Sequence, residues 1–255
     1  MTTLSPGFTL RPAAWIDLEA VAQLTLDVCT AEGDPSMATT PSDLLHWWKA
    51  PGFILEKDAW VVTAPDGCVV GYEEFFNRHA HASLNGDGYV HPDFNGLGIG
   101  TALLRCLDER AREEISQAEP DLRVFIRNGM AIDDKIARAM HEAEGYRPIR
   151  FNWRMEITLE AAPQPACWPK GVELRPFDLD QHDHQVYLAH EEAFRDHWGH
   201  TPHPYEFWLG NMRGRDPGFP RPTRICGWLD RRYFCHPGGC RIRGGGNGAL
   251  LHRSW

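Results

Sequence analysis

One segment organises this chain: Gly88-Tyr89-Val90-His91-Pro92-Asp93-Phe94-Asn95-Gly96-Leu97-Gly98-Ile99-Gly100-Thr101-Ala102-Leu103-Leu104. A short apolar run leads into His-Pro, three glycines follow at alternate positions, and a helical pattern begins immediately afterwards. This order predicts a strand, a tight loop and the N-terminus of a helix. The first N–H groups of a helix have no internal partner and its dipole favours negative charge, while glycines let a ligand approach the backbone. We therefore expect this segment to hold an anion.

Length and composition are those of an ordinary globular protein with one large or two average domains. The 255 residues are 42% hydrophobic and 24% charged, and the formal net charge of −9 disfavours nucleic-acid binding as the main role. No apolar run approaches the roughly 20 residues of a membrane span, and Met1–Pro6 lacks the features of a secretory signal. Because the seven cysteines form no disulfide-like framework, we expect a reduced, cytoplasmic protein.

The N-terminal part predicts a strand followed by two helices. Phe8–Pro12 has the pattern of a short strand, and Asp17 is placed to cap the first helix. The apolar positions of that helix recur at spacings of three and four: Leu18, Val21, Leu24 and Val28. A second helix starts near Thr40–Asp43, and we expect at least one of its residues Trp47 and Trp48 to be core.

A hairpin and an exposed loop are predicted before the glycine segment. Ala59–Ala64 and Cys68–Phe76 should pair around the turn Pro65-Asp66-Gly67, in which proline fixes φ and glycine accepts a positive φ. Asn77 to Asp87 is predicted to be the exposed loop. The helix after the glycines should be amphipathic, with an apolar side formed by Ala102, Leu103, Cys106, Leu107 and Ala111.

Alternating strand and helix patterns complete this part of the chain. Leu122–Ile126 has the pattern of a central strand, and Ile132–Ala143 that of a helix ending at a Gly145 C-cap. Tyr146–Arg150 and Trp153–Ile157 are predicted to be extended.

Motifs of the first part then recur in the same order, which indicates an internal duplication. The pairs are Gly7–Pro12 with Gly171–Pro176, Pro41 and Trp47–Trp48 with Pro204 and Trp208, and Pro51–Phe53 with Pro217–Phe219. We therefore assign residues 1–160 to a complete domain, the proline- and alanine-rich residues 161–170 to a linker, and residues 171–255 to a partial second copy. The chain ends before a second glycine loop would recur, so the second copy should lack one.

The tail after about residue 219 has neither strand alternation nor helical periodicity. From Arg213 onward it holds nine arginines and only two acidic residues. We interpret it as a loss of reading frame near residues 219–222, which sequencing of the gene would test. The competing interpretation is a small zinc site. Its ligands would be Cys226, Cys235, His236 and Cys240. That spacing matches no common zinc pattern, so we expect no metal.

The element order and two motifs resemble the GNAT superfamily of acetyl-CoA-dependent N-acyltransferases. The family's cofactor motif, Gln/Arg-x-x-Gly-x-Gly/Ala between a strand and a helix, reads Asn95-Gly96-Leu97-Gly98-Ile99-Gly100 here, with Asn in the first position. A second family pattern, Asn-x-x-Ala-x-x-Leu-Tyr-x-x-x-Gly-Phe, corresponds to Asp134, Ala137, Met140, His141, Gly145 and Tyr146. A Walker A loop would need a lysine before Thr101, and a Rossmann loop would lie in an early βαβ unit.

The resemblance implies a fold and a co-substrate. The fold is α/β (α+β), with a mixed, mostly antiparallel twisted sheet flanked by helices, complete in the first copy and partial in the second. The co-substrate is acetyl-CoA, whose pyrophosphate lies on the loop amides in the family and whose pantetheine pairs with the strand before the loop. The residues implied in cofactor binding are Tyr89, Val90, His91, Asn95, Gly96, Leu97, Gly98, Ile99, Gly100, Thr101 and Asp134.

Three residues are candidates for proton transfer when an amine attacks the thioester. Glu73 or Glu74 is implied as the base, because the strand before the loop often carries it; adjacent strand residues face opposite sides, so at most one can face the cleft. His141 stands where the family often has a tyrosine that protonates the leaving thiolate. Weaker candidates for the base are His79, His81 and His91. The alternative for Glu73, Glu74 and His141 is a solvated side chain without a catalytic role.

The second part carries the polar segment His190–His200, with the sequence HEEAFRDHWGH. With the tandem layout, it resembles the mycothiol-synthase-like branch of actinobacterial GNAT proteins. The segment would help to shape a substrate cleft, or it is simply a capped amphipathic helix. The resemblance implies acetyl transfer to a primary amine of a small molecule or peptide; the alternative is a catalytically inactive acyl-CoA-binding or interaction module. An incomplete second domain would leave a sheet edge unpaired, which favours a homodimer.

Overall fold

The computed structural model divides into two compact units, Met1–Met155 with Gly244–Trp255, and Glu156–Arg243. It describes residues 4–79, 81–153, 167–173, 175–198, 200, 202, 204–213 and 248–254. Within these ranges, no helix is both long and apolar enough to cross a membrane.

The first unit is built on a seven-stranded sheet with the order β1-β2-β3-β4-β5-β7-β6. The strands are β1 (Thr9–Pro12), β2 (Ala59–Thr63), β3 (Val69–His79), β4 (Ser83–Val90), β5 (Phe125–Ala131), β6 (Arg147–Asn152) and β7 (Gly248–Ser254). Neighbouring strands are antiparallel except for β4 and β5, which are parallel. The predicted mixed, mostly antiparallel sheet is therefore confirmed for the N-terminal region.

Helices cover both faces of this sheet. They are α1 (Leu18–Ala31), α2 (Pro41–Trp48), α3 (Leu55–Asp58), α4 (Ile99–Ile115) and α5 (Lys135–Ala143). On the face covered by α1 and α2, which we call the α1 face, Leu24 and Trp48 pack against Tyr72 of β3. On the opposite α4 face, Leu104 and Leu107 of α4 pack with Phe75 of β3. Alternate side chains of β3 thus belong to two separate cores, one on each face of the sheet.

The starts of α1 and α2 follow from local sequence. Thr40 and Asp43 form a reciprocal capping box around the first turn of α2, as their spacing predicts. Asp17 precedes α1, but its side chain does not cap that helix. Its two carboxylate oxygens instead accept hydrogen bonds from the Arg11 guanidinium at 2.6 and 2.7 Å, and one also accepts the Ala14 N–H. An ion pair therefore ties β1 to the start of α1.

The segment from Asn77 to Asp87 is a hairpin and not the exposed loop that the sequence predicts. Only a short turn separates β3 from β4. Gly86 and Gly88 made this segment look like a loop, because glycine weakens strands. Here a Cβ on Gly86 would overlap Leu107 of α4, and a Cβ on Gly88 would overlap the Glu73 carboxyl. These glycines therefore mark close packing inside a strand.

Smaller differences concern the ends of later elements. The predicted strand Leu122–Ile126 is shifted, since β5 begins at Phe125 and extends to Ala131. The predicted helix Ile132–Ala143 begins later, at Lys135, because Asp134 is its N-cap. Trp153 follows β6 without belonging to a strand, and residues 154–157 lie outside the described residues.

The end of the chain differs from the sequence expectation in its placement. Residues 171–255 were assigned above to the second copy, yet Gly248–Ser254 forms β7 between β5 and β6 in the sheet of the first unit. Leu251 is buried in the core of the α4 face, and the Arg253 guanidinium pairs with Asp108 of α4. Strands β5 and β6 thus reach each other only through β7, which satisfies the backbone groups along both.

The described part of the second unit contains two helices, α6 (Leu179–Phe194) and α7 (Tyr205–Arg213). The side chains of Trp208, Leu209 and Met212 on α7 form the centre of a small apolar cluster. Residues 167–170 of the predicted linker carry no helix or strand. The proposed frameshift near 219–222 and the rival zinc site lie outside the described residues.

Candidate active site

Strands β4 and β5 pair over only part of their length and then separate. Their ladder runs from Ser83 opposite Phe125 to Gly86 opposite Asn128, and the following residues of the two strands are not paired with each other. Because the strands are parallel, both continue towards the same edge of the sheet, where β4 leads into the glycine loop. The divergence therefore opens the sheet directly beside that loop.

The glycine loop, Asn95–Thr101, presents backbone amides at the start of α4. Gly96 and Gly98 have φ angles of +79° and +80°, which favour glycine. A Cβ on Gly96 would meet no atom within 4 Å, so the space in front of this glycine is open. The first backbone hydrogen bond of the helix runs from the Ala102 N–H to the Gly98 carbonyl, and within the described residues the three amides before Ala102 donate to no backbone acceptor. This loop has the geometry of an anion cradle.

The third glycine of the loop has a different role. A Cβ on Gly100 would lie 2.8 Å from the Met140 sulfur of α5, so this glycine lets α5 pack against the start of α4. The side chain of Ile99 is likewise buried in the core, and only its backbone can face a ligand. Asn95 and Leu97 are exposed. Two of the three glycines shape the cradle, and the third positions the helix that borders it.

Three implied cofactor residues lie where β4 runs into the loop. Tyr89 packs against the core of the α1 face and donates its O–H to Asp87 at 3.2 Å. Val90 packs on the α4 face. The His91 ring nitrogen accepts a backbone N–H of the short turn Pro92–Phe94. They fix the path of the chain from the diverging strand into the cradle.

Asp134 lies at the corresponding end of β5. Its carboxylate accepts the Ile136 and Ala137 N–H groups at 3.0 and 2.8 Å and so caps α5. The resemblance implies an asparagine at this position with a role in cofactor binding. In this structure the Asp134 side chain holds the helix that carries His141.

Glu74 points to the α1 face and is 1% exposed. Its Oε2 accepts the Tyr72 O–H at 2.6 Å, and the Tyr72 oxygen in turn accepts the Trp48 Nε1–H at 2.9 Å. Asp87 of β4 lies directly opposite Glu74 in the ladder. Glu74 therefore stands one strand from the diverging part of β4, in a polar cluster under α1 and α2.

Glu73 points to the α4 face and is also buried, at 4% exposure. One carboxyl oxygen has no hydrogen-bond partner, whereas the Asp87 backbone N–H reaches the carboxyl. Burial and the nearby Asp87, Glu74 and Asp108 carboxylates raise the pKa of Glu73 well above its ordinary value. Glu73 thus packs against α4 in surroundings that favour its protonated form. Neither glutamate is the solvated side chain that the sequence offered as the alternative.

His141 is buried beside Tyr146 and is not a solvated residue of the helix surface. Its Nδ1 lies 2.8 Å from the Ala137 carbonyl, so we assign the proton to Nδ1. Burial lowers the pKa of His141, and its Nε2 has no partner among the described residues. A neutral ring with this tautomer presents a lone pair at Nε2. It can accept a proton there, but it can donate one only after it has been protonated.

The weaker histidine candidates divide between the two ends of β4. His79 ends β3 and His81 lies in the turn before β4, where its ring pairs with Glu114 of α4. This turn is at the opposite end of β4 from the glycine loop, because β4 runs from the turn to the loop. His91 lies at the loop end, where its ring nitrogen accepts the Asp93 backbone N–H.

Sequence reasoning missed the residues that surround Glu74. Tyr72 could have been found, because residues two apart on a strand share a face and both belong to the predicted strand Cys68–Phe76. Asp87 was hidden by the prediction of a loop around it. Trp48 is 24 positions from Tyr72, and no local pattern indicates that it donates to this oxygen.

The polar segment of the second unit forms a compact cluster. Glu191 lies between two imidazoles, with its carboxyl oxygens 3.6 Å from His190 Nδ1 and 3.3 Å from His200 Nε2. His197 packs against Phe194 instead. In the part of the chain that the structure describes, no group of three or more His, Cys, Asp or Glu side chains is arranged to hold a metal ion.

Comparison with known families and proteins gives one consistent family. The model of the acetyltransferase (GNAT) family matches residues 19–145. A mycothiol acetyltransferase of Thermomonospora curvata is 30% identical over 156 residues, which are 61% of this chain and 48% of that protein. A second, of Salinispora arenicola, is 31% identical over 137 residues, covering 53% and 41%. The chain spans about half the length of these relatives.

One solved structure is similar over almost the whole chain. The GCN5-related N-acetyltransferase of Sphaerobacter thermophilus has a TM-score of 0.73 and 24% identity, and the match covers 99% of this chain and 97% of that one. The likeness confirms the mixed α/β fold with its mostly antiparallel sheet.

Proposed function

Since the chain belongs, through residues 19–145, to the acetyltransferase (GNAT) family, we propose that it transfers an acetyl group from acetyl-CoA to a primary amine. The observation that carries this proposal is the coincidence of two features at one edge of the sheet. β4 and β5 diverge there, and the open amides of the glycine loop adjoin the divergence. An elongated ligand with an anionic group at one end suits both features.

Acetyl-CoA would use the two features separately. Its pyrophosphate would accept hydrogen bonds from the amides between Leu97 and Thr101, where the α4 dipole also favours negative charge. Its pantetheine amides would pair with the β4 backbone from Asp87 to Val90, where the ladder with β5 has ended. This orientation directs the thioester into the sheet and towards the Glu74 cluster.

Glu74 is the better candidate for the base of the two glutamates. An amine must lose a proton before it can attack the thioester carbonyl, and an ionised carboxylate can take that proton. Glu74 accepts the Tyr72 O–H, a contact that favours the ionised form. Glu73 faces the other side of the sheet with a raised pKa, which favours its protonated form. Attack then expels coenzyme A as a thiolate.

His141 retains a role in proton transfer, although a more restricted one than the resemblance implies. Its neutral ring carries the available lone pair at Nε2. It would take up the second proton of the amine nitrogen, which the nitrogen loses after it has attacked the thioester, and pass it to the thiolate. It would not serve as a donor at the outset. The pH dependence of thiol release in a His141→Gln variant measures this contribution.

The acceptor is proposed to be a small-molecule or peptide amine. The curated relatives are mycothiol acetyltransferases, so the amine on which those enzymes act is the first acceptor to assay. We also propose that residues 171 to about 219 begin a second copy. Asp178 precedes α6 as its N-cap, as Asp17 precedes α1. In the first unit the shorter helix α2 begins at Pro41, and in the second the shorter helix α7 follows Pro204. Light scattering would test the expected homodimer.

The test compares one loop glycine with another glycine of similar conformation. Gly98→Asp places a side chain and a negative charge in the cradle, so calorimetry should show loss of acetyl-CoA binding. Gly67→Asp is the control, because Gly67 has a φ of +89° and open space around it but lies in the β2–β3 turn. Equal affinity in the Gly98→Asp variant and the wild type would refute the site. Binding without thiol release over a panel of amines would refute acetyl transfer.

A further inference from the structure

We propose that Tyr72 and Trp48 position the base Glu74 through a directed chain of hydrogen bonds that runs from α2 to β3. The inference rests on the proposed function, in which Glu74 removes a proton from the amine. It assigns positioning roles to two residues that belong to neither family motif. Trp48 is the last residue of α2, and Tyr72 and Glu74 share one face of β3.

All three side chains are buried, so water competes little for these contacts. Trp48, Tyr72 and Glu74 are 2%, 1% and 1% exposed. The Trp48 Nε1–H donates to the Tyr72 oxygen at 2.9 Å, and the Tyr72 O–H donates to Glu74 Oε2 at 2.6 Å. The second distance is typical of an O–H donating to a carboxylate, about 2.5–2.7 Å, and such charge-assisted hydrogen bonds are roughly twice as strong as those between neutral groups.

The chain of hydrogen bonds has one direction because it starts at Trp48. An indole N–H can only donate, so the Tyr72 oxygen must accept from Trp48. Tyr72 has a single proton, and the geometry directs it to Glu74. Donation from Trp48 also polarises the tyrosine O–H, since linked hydrogen bonds strengthen each other. Loss of Trp48 should therefore weaken the contact at Glu74 without removing it.

Three other ionisable groups lie near Glu74 among the described residues, and none of them carries a positive charge. Asp87 lies opposite on β4, Glu73 is its neighbour in the chain, and Cys29 of α1 lies near Asp87. Burial and acidic neighbours raise the pKa of Cys29 to about 12, so its thiol is uncharged at neutral pH. The Asp87 carboxylate favours the protonated form of Glu74, whereas the uncharged Cys29 thiol adds no charge. The Tyr72 O–H is a donor that acts in the other direction and keeps Glu74 available as a base.

The experiment measures the protonation of Glu74 in two independent ways. One is the acidic limb of the pH profile of kcat/KM for thiol release. The other is the titration of the Glu74 side-chain carboxyl by ¹³C NMR, assigned with Glu74→Gln. Tyr72→Phe should move both midpoints to higher pH by about one unit, the size expected for one hydrogen bond to a carboxylate. Trp48→Phe should give a smaller shift in the same direction. The double variant should shift no further than Tyr72→Phe alone.

The control removes an indole from the other face of the sheet. Trp60 of β2 lies opposite Glu73 and packs with the cores of the α4 face, so Trp60→Phe should leave both midpoints in place even if the melting temperature falls. Unchanged midpoints in Tyr72→Phe would overturn the inference, as would equal, additive shifts in the two single variants. The NMR titration needs no turnover, so a protein that shows the shift but releases no thiol would refute acetyl transfer and not the hydrogen-bond chain.

Discussion

The two faces of the sheet hold adjacent glutamates in opposite situations. On the α1 face, Glu74 accepts a hydrogen bond from Tyr72 and belongs to a polar cluster. On the α4 face, Glu73 is packed among apolar side chains and glycines, and one of its oxygens has no partner. Both carboxyl groups are buried to a similar extent. The two carboxyl groups therefore differ in the hydrogen-bond donors that reach them, and a donor to the ionised form of an acid opposes the effect of burial on its pKa.

The largest expected effect comes from exchanging each glutamate for its amide. Glu74→Gln should lower kcat by about 10²- to 10⁴-fold, the usual contribution of a positioned base. Glu73→Gln should change kcat less than about threefold, because Glu73 lies on the α4 face and its raised pKa favours the protonated form that glutamine resembles. Steady-state thiol release at saturating acetyl-CoA measures both, and the wild-type affinity for acetyl-CoA is the control. A larger loss in Glu73→Gln than in Glu74→Gln would reverse the assignment of the two faces.

Glu73 and Glu74 also show which features of the structure can be predicted from the sequence. The rule that neighbours on a strand face opposite sides was enough to predict that Glu73 and Glu74 would be separated. The capping box at Thr40 and the turn at Gly67 were also predictable, because their signals are local. The environment of each glutamate was not, since it depends on Trp48 of α2 and Leu107 of α4, which distant parts of the chain bring to β3.

Two features of the first unit could not be found from local patterns at all. Gly86 and Gly88 have a low strand propensity, which predicts a loop. They lie in β4 because any side chain there would overlap Leu107 of α4 or the Glu73 carboxyl. The pairing of Gly248–Ser254 between β5 and β6 joins segments far apart in the chain. Only the fold itself, and no periodicity or turn signal, places that strand.

The raised pKa of Glu73 makes the next prediction, which concerns stability on the α4 face. The folded state holds a proton that an unfolded glutamate, with a pKa of about 4.3, has already released. Stability should therefore be highest below that value and fall as the pH rises towards the folded pKa, by up to about 1.4 kcal/mol per pH unit. Glu73→Gln should remove this slope. Urea unfolding between about pH 5 and pH 8 measures it, and parallel curves for the two proteins would contradict the prediction.

Each face also has an Arg–Asp pair. The pKa of the aspartate is raised in the pair on the α4 face and lowered in the pair on the α1 face. Asp108 on the α4 face is held by Arg253 and Tyr146, yet burial outweighs both and raises its pKa. Arg253→Met should lower the free energy of unfolding at neutral pH by about 2 kcal/mol, less than for a fully buried pair because the arginine is partly exposed. The exposed pair of Arg138 and Glu142 on α5 is the control. Arg138→Met should cost no more than about 0.5 kcal/mol.

The smallest effect is expected at the pair on the α1 face. The Arg11 guanidinium holds the pKa of Asp17 below its ordinary value, because hydrogen bonds to the ionised form outweigh burial. This contribution is present above the unfolded pKa of about 3.9 and is lost as the pH falls through the folded pKa. Arg11→Met should therefore cost about 0.5–1 kcal/mol at pH 7, discounted for the partial exposure of Arg11. The cost should disappear on acidification as Asp17 takes up a proton.

Arg253→Met should likewise lose its effect in acid, but at higher pH, because the pKa of Asp108 is raised and that of Asp17 is lowered. Unfolding curves for both variants across the acidic range measure the pH at which each cost disappears. If the cost of Arg11→Met disappeared at the higher pH, the proposed difference between the two faces would be wrong.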